Sequence, residues 1–191
     1  MTLIASPSRF SPRILSLCSG YGGLDLVVEK LTGGGLVAYA EKMPAASRVM
    51  AHRWPGVPNL GDITELDWRQ VLDAFAPDVI GAGFPCQDIS DAGNREGIHG
   101  ARSGIWKNVA EAVGTTRPRL VFLENVAALR SRGLDVVASD LAKVGYELRW
   151  TCIRASSVGA PHPRDRWFGL ARPFRHANGE QRNGAGAAGQ P

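Results

Sequence analysis

Cysteine is scarce in this sequence. Cys18, Cys86 and Cys152 are the only three in 191 residues, and they form no C-x-x-C pair and have no histidine nearby at ligand spacing. That pattern argues against a disulfide framework and against a structural zinc site. Long apolar runs are missing as well. Nothing approaches the roughly 18 consecutive apolar residues of a membrane span, and the opening stretch MTLIASPSRFSPR lacks the apolar centre of a secretory signal. The expectation is a soluble protein with a cytoplasmic address. No internal repeat is present, and the net charge of +4 is too small to demand a polyanionic partner, although it permits one. With 44% hydrophobic residues, the length suits a single domain with a substantial core.

What is present is an alternation. Short aliphatic runs, Arg13–Cys18, Leu36–Glu41, Asp78–Gly83, Leu120–Glu124, Glu147–Ile153 and Trp167–Ala171, read mostly as strands buried on both faces. Between them, Leu24–Leu31, Ala45–Arg53, Glu65–Phe75, Ile105–Val113 and Leu134–Val144 carry helical spacing, with Gly or Pro at several boundaries. Strand, helix, strand in repetition predicts an α/β fold of Rossmann-like type, a mostly parallel sheet with helices on both faces. The core is expected over residues 12–171. The Gly-, Ala-, Arg- and Asn-rich remainder, 172–191, has no periodicity and reads as a disordered tail or linker.

Ligands of such sheets bind beyond the carboxyl ends of the strands. There the sequence places Ser19-Gly20-Tyr21-Gly22-Gly23, then Glu41 with Lys42 after it, Gly61-Asp62-Ile63, Gly83-Phe84-Pro85-Cys86, and Glu124-Asn125. Small residues after the first strand let the backbone turn tightly and approach a ligand, and an acidic residue about 20 positions later suits a ribose diol. The lesser alternative is that these glycines build a plain strand-to-helix turn. The dinucleotide fingerprint G-x-G-x-x-G would need a third glycine where Asp25 stands, which disfavours a nicotinamide cofactor and an oxidoreductase. Asp62 could accept from an adenine amino group, or it or Thr64 could cap the helix expected at Glu65–Phe75.

Cys86 differs from the other two cysteines, which sit inside apolar runs and read as small core residues. It follows a proline at the open end of a buried strand, where a core cysteine has no need of such a turn and a nucleophile does. A thiol redox enzyme is the weaker alternative, because no resolving cysteine lies nearby. The segment after it, DISDAGNREGIHGARSG, is polar, glycine-rich and carries Arg95 and Arg102; it reads as a loop able to close over a substrate, or as an ordinary surface loop.

Taken together, SLCSGYGGLDL, AYAEK, GDI, GFPCQDIS, GIHGARSGIW, FLENVAAL and PHPRDRWF resemble, in order, the motifs of the DNA (cytosine-5) methyltransferases, over about Arg13 to Ala171. The resemblance implies a class I S-adenosylmethionine-dependent methyltransferase core acting on double-stranded DNA in a bacterial or phage-infected cytoplasm. It implies that Ser19 to Gly23, Glu41, Lys42, Asp62, Ile63, Gly83 and Pro85 hold S-adenosylmethionine. Cys86 would add to carbon 6 of a flipped-out cytosine, Glu124 would hold or protonate N3 and contact the amino group, and Arg166 with Arg164 would hold the O2 edge or a nearby phosphate. Gln87, Ser90, Arg95, Arg102 and Ser103 would belong to the clamp on the base and its DNA. Metal ions have no part in this scheme.

The sequence departs from the family's pattern in several places. Ser16 stands where the family has Asp, Cys18 where it has an aromatic residue, and His162 where the arginine motif begins with Gln. Family members continue past that motif into a variable target-recognition region and two further motifs, one with a Gly-Asn pair that completes the cofactor pocket and sheet. The sequence reaches Pro191 without them. Three readings stay open: one half of a split enzyme with a second chain supplying the rest, a reduced enzyme of low specificity, or a DNA- or cofactor-binding remnant without turnover.

Overall fold

The computed structural model describes residues 11–85 and 104–174. Six strands form one sheet: β1 (Arg13–Leu17), β2 (Gly35–Ala40), β3 (Val79–Ala82), β4 (Leu120–Val126), β5 (Tyr146–Arg154) and β6 (Asp165–Pro173), in the order β2-β1-β3-β4-β6-β5. The pairings β1–β2, β1–β3 and β3–β4 are parallel, and β6 runs antiparallel to both β4 and β5. All six strands fall on the runs expected from sequence. The reversal of β6 was not foreseen, because an apolar run carries no sign of direction. Its last residues extend past the expected core boundary, and the Phe174 N–H donates to the Gly145 carbonyl.

The helices are α1 (Gly23–Thr32), α2 (Pro44–Arg53), α3 (Trp68–Phe75), α4 (Gly104–Thr116), α5 (Leu129–Arg132) and α6 (Leu134–Lys143). Strand side chains alternate between two apolar layers. Leu15, Leu17, Ile80, Ala82, Val121 and Leu123 face the larger one with α3, α4 and α6, whereas Ile14, Val79 and the partly buried Phe122 face a smaller one containing Val28 of α1 and Met50 of α2. The helix expected from Glu65 begins at Trp68 instead. Asp67 caps it, accepting from the Arg69 and Gln70 amides, while Asp62 caps a separate 3-10 turn at Ile63–Glu65. No helix among the described residues is long and apolar enough to cross a membrane.

Candidate active site

Strand order reverses direction at β1, so the crevice between the ends of β1 and β3 is the topological switch point where such sheets take ligands. Two cavities meet there, of about 580 and 910 Å³, and both are lined by Cys18, Gly20 and Gly83. The smaller gathers Glu41, Lys42, Asp62, Ile63 and Pro85, with Asn108 of α4, which sequence reasoning did not single out. The larger gathers Ser19, Tyr21, Gly23, Asp25, Glu124 and Arg164. Residues expected at a cofactor site and residues expected at a catalytic site therefore share one continuous cleft.

The glycine loop is held from both sides. Gly20 has φ 55° and its N–H donates to Glu41 Oε2 at 2.7 Å, while Glu41 Oε1 accepts from the Met43 N–H at 2.7 Å. Glu41, 8% exposed, thus clamps the loop to the end of β2 before any ligand arrives. Asn59 in turn fixes Glu41, accepting from its N–H at 3.1 Å and donating to its carbonyl at 2.9 Å. Gly22 has to be glycine on two counts: its φ is 77°, and a Cβ there would lie 2.5 Å from the Trp54 ring. It packs the loop rather than lining the cleft. Asp62 accepts from the Thr64 N–H and from Lys42 Nζ, and these bonds hold its carboxyl below the ordinary carboxylate range.

Cys18, at φ 53°, lies in the floor of both cavities. Burial, with Glu41 and Asp62 adding repulsion, pushes its thiol to about 12, so it stays protonated and is no nucleophile. The sequence read it as a small core residue; it packs on the core and faces the cleft at once.

The end where catalytic residues are expected is built on β4 and β6. Because β6 is antiparallel, its first residues meet the carboxyl end of β4: Arg166 pairs with Val126, and its Nε lies 2.7 Å from Glu124 Oε1. Burial raises the Glu124 pKa and the two arginines, Arg166 and Arg164, oppose the rise. Asn125, 2% exposed, donates to the Phe84 carbonyl at 3.1 Å and accepts from the Val126 N–H at 2.8 Å. It ties β4 to the segment leading into Pro85, a role that only the tertiary structure reveals. Gly83 lies beneath this end, where a Cβ would sit 3.7 Å from Glu124 Oε2. Cys86, Gln87, Ser90, Arg95, Arg102 and Ser103 lie outside the described residues.

The profile of the C-5 cytosine-specific DNA methylases matches residues 12–179. The chain belongs to that family. Among curated relatives, the Type II methyltransferase M2.BsuMI of Bacillus subtilis is 34% identical over 170 residues, and M.CviJI of Paramecium bursaria Chlorella virus IL3A is 32% identical over 160. The matches cover 85% and 83% of this chain but 42% of each relative, so this C-5 methylase chain spans less than half their length. Its fold superposes on Dnmt2 structures from Spodoptera frugiperda and S. pombe, with TM-scores of 0.71 and 0.68 at 22% and 25% identity, over 91% and 86% of this chain and about half of each of those chains, 53% and 52%.

Proposed function

We propose that this chain carries the cofactor-binding and catalytic portion of a DNA cytosine-5 methyltransferase that uses S-adenosylmethionine. One observation carries the reading: a single cleft joins the Gly20–Glu41 clamp to the Glu124–Arg166 pair, and Pro85, which precedes Cys86 in the sequence, lines it. The cleft fits such a cofactor. Its smaller cavity has the size of a small-molecule site, Glu41 keeps spare lone pairs toward a ribose diol, and Asp62 with Ile63 borders the place for a base. Ser19, Gly20, Tyr21 and Gly23 line the larger cavity, and Lys42 pairs with Asp62 at the smaller one. When bound, the cofactor supplies an electrophilic methyl group on a sulfonium.

The chain's own residues supply the rest. Cys86, as thiolate, adds to carbon 6 of the target cytosine; the ring electron pair moves to carbon 5, which becomes nucleophilic. Glu124 holds a proton toward N3 as charge develops there, and the burial that raises its pKa favours the protonated form this step needs. Arg166 orients that carboxyl through its 2.7 Å contact, and Arg164 adds positive charge on the cleft wall facing the O2 edge or a phosphate. After methylation, loss of the carbon 5 proton returns its electron pair to the ring and expels the thiolate. The target base must leave the stack to reach this cleft, and the segment bearing Gln87, Ser90, Arg95, Arg102 and Ser103 is assigned to hold it and its DNA.

The names of the curated relatives suggest a part in type II modification, in a bacterial or phage-infected cytoplasm. A split enzyme is the second reading, favoured by apolar Ile153 and Leu170 exposed on the α1 side of β5 and β6: a further segment, on this chain or a second one, covers them. The deciding experiment traps the adduct. Duplex DNA containing 5-fluorocytosine, which cannot lose its carbon 5 substituent, is incubated with methyl-labelled S-adenosylmethionine and the chain. A labelled, denaturation-resistant protein–DNA adduct that disappears with Cys86→Ser supports activity of this chain alone. Cofactor binding without an adduct supports the split or remnant reading, and a Cys86→Ser protein that methylates as well as the parent refutes the mechanism.

A further inference from the structure

Asp25 has no role in anything above. It lies in the first turn of α1, 1% exposed, and neither carboxylate oxygen has a hydrogen-bond partner among the described residues. An isolated carboxylate in such a place is costly, and a protein retains one only where something offsets the cost. Its surroundings offset only part of it, through the nearby Ser16. Gly81 offers bare backbone, with a hypothetical Cβ at 3.5 Å from Asp25 Oδ1, and Ser16 directs its hydroxyl to Ser19 Oγ at 2.7 Å. Asp25, Ser16 and Ser19 all line the larger cavity just beyond Gly20, on the side away from Glu41 and Asp62.

The complementary ligand group follows from this arrangement. A buried carboxylate on a cavity lining, with neither oxygen bonded, calls for a compact cation with several N–H donors, which describes a primary ammonium. Beside it, the N-terminus of α1 has no side-chain cap, a setting that favours a carboxylate. A cation seat and an anion seat within one helical turn match the zwitterionic end of an α-amino acid. We infer that Asp25 is the seat of the ammonium group of the cofactor's amino-acid end, a binding residue contributed by α1 rather than by a strand end. This rests on the proposal that the cleft holds S-adenosylmethionine, whose adenosine lies on the Glu41 side.

Binding to the purified chain, measured by calorimetry with three ligands, separates the two ideas. S-adenosylhomocysteine carries the zwitterion, its deaminated analogue keeps only the carboxylate, and 5′-methylthioadenosine lacks the amino-acid end. The parent is expected to bind S-adenosylhomocysteine about tenfold or more tightly than the deaminated analogue. Asp25→Asn should abolish that preference while binding 5′-methylthioadenosine as the parent does. Equal affinity of the parent for the first two ligands overturns the assignment whether or not the variant folds. An Asp25→Asn protein that weakens all three ligands alike also overturns it, leaving Asp25 as a support for the loop. If the parent binds none of the three, the cofactor proposal itself fails and takes this inference with it.

Discussion

The two halves of the sheet are finished to different degrees. Strands β2, β1 and β3 are parallel, α1 and α2 cover one face and α3 and α4 the other, and the loop at their carboxyl ends is bonded to Glu41. Strands β4, β6 and β5 are mixed in direction, and α5 and α6 lie on one face; on the other, Ile153 is 41% exposed and Leu170 38%. A parallel sheet requires cover on both sides, whereas an antiparallel one tolerates a bare face. The first half is therefore packed on both faces, with its glycine loop already bonded in place. The second holds the pair proposed for the chemistry, Glu124 and Arg166, on a partly open platform.

Breaking the finished half should cost the most. Gly22→Ala forces a Cβ into the Trp54 ring at a left-handed φ, and a loss of roughly 3 kcal/mol in urea denaturation is expected, with cofactor binding lost in parallel. An unchanged midpoint would show that the Trp54 contact is loose. Next is the seam between the halves. Asn125→Ala leaves the buried Phe84 carbonyl and Val126 amide without partners, for an expected loss of about 2 kcal/mol. Methyl transfer should fall further than the stability change explains, because Pro85 loses its tether.

A smaller effect depends on pH. Burial, with Glu29 adding repulsion, raises Asp25 from its ordinary 3.8 to about 6 against the pull of nearby Ser16. The folded state then keeps a proton that the unfolded state releases between roughly pH 4 and 6. Stability from that proton is present at low pH and lost as pH rises through this window. Compared with Asp25→Asn, the parent should lose on the order of 1–2 kcal/mol between pH 4 and 7 in the absence of ligand. Identical pH profiles for the two proteins would place the charge elsewhere. The smallest effect belongs to the open half: Ile153→Thr should change the stability of the chain alone by less than about 0.5 kcal/mol. A larger loss would mean that this face is already covered.

Much of the finished half was legible in the sequence, since buried parallel strands announce themselves as continuous apolar runs and Gly20 and Gly22 mark a turn that no other residue builds. The place of Glu41 was legible too, but not its bond to the Gly20 amide, which joins groups far apart in the chain. Asp25 entered the sequence argument only as a missing glycine, because a carboxylate on an amphipathic helix looks solvated until the neighbouring sheet is in place. Asn125 was noticed on the rim without a task, and its contact with Phe84 depends on the pairing of β3 with β4. The short α5 and the true start of α3 were missed, since four residues carry no period and Asp67 competes with Asp62 as a cap.

The reversal of β6 also fixes where the backbone leaves the sheet. Glu124 and Arg166 sit at one end, and Phe174 sits at the other, against Gly145. Nine residues of strand separate the two ends, a span of about 30 Å. Any polypeptide joined at Phe174 that takes part in the chemistry must travel that distance back, and a dry route on the cleft side crosses the apolar surface of Leu170 and Ile153. A partner arriving as a separate molecule pays no such detour and meets the cleft directly. The direction of one strand thus makes tethered and untethered completion of the cleft two different problems of reach.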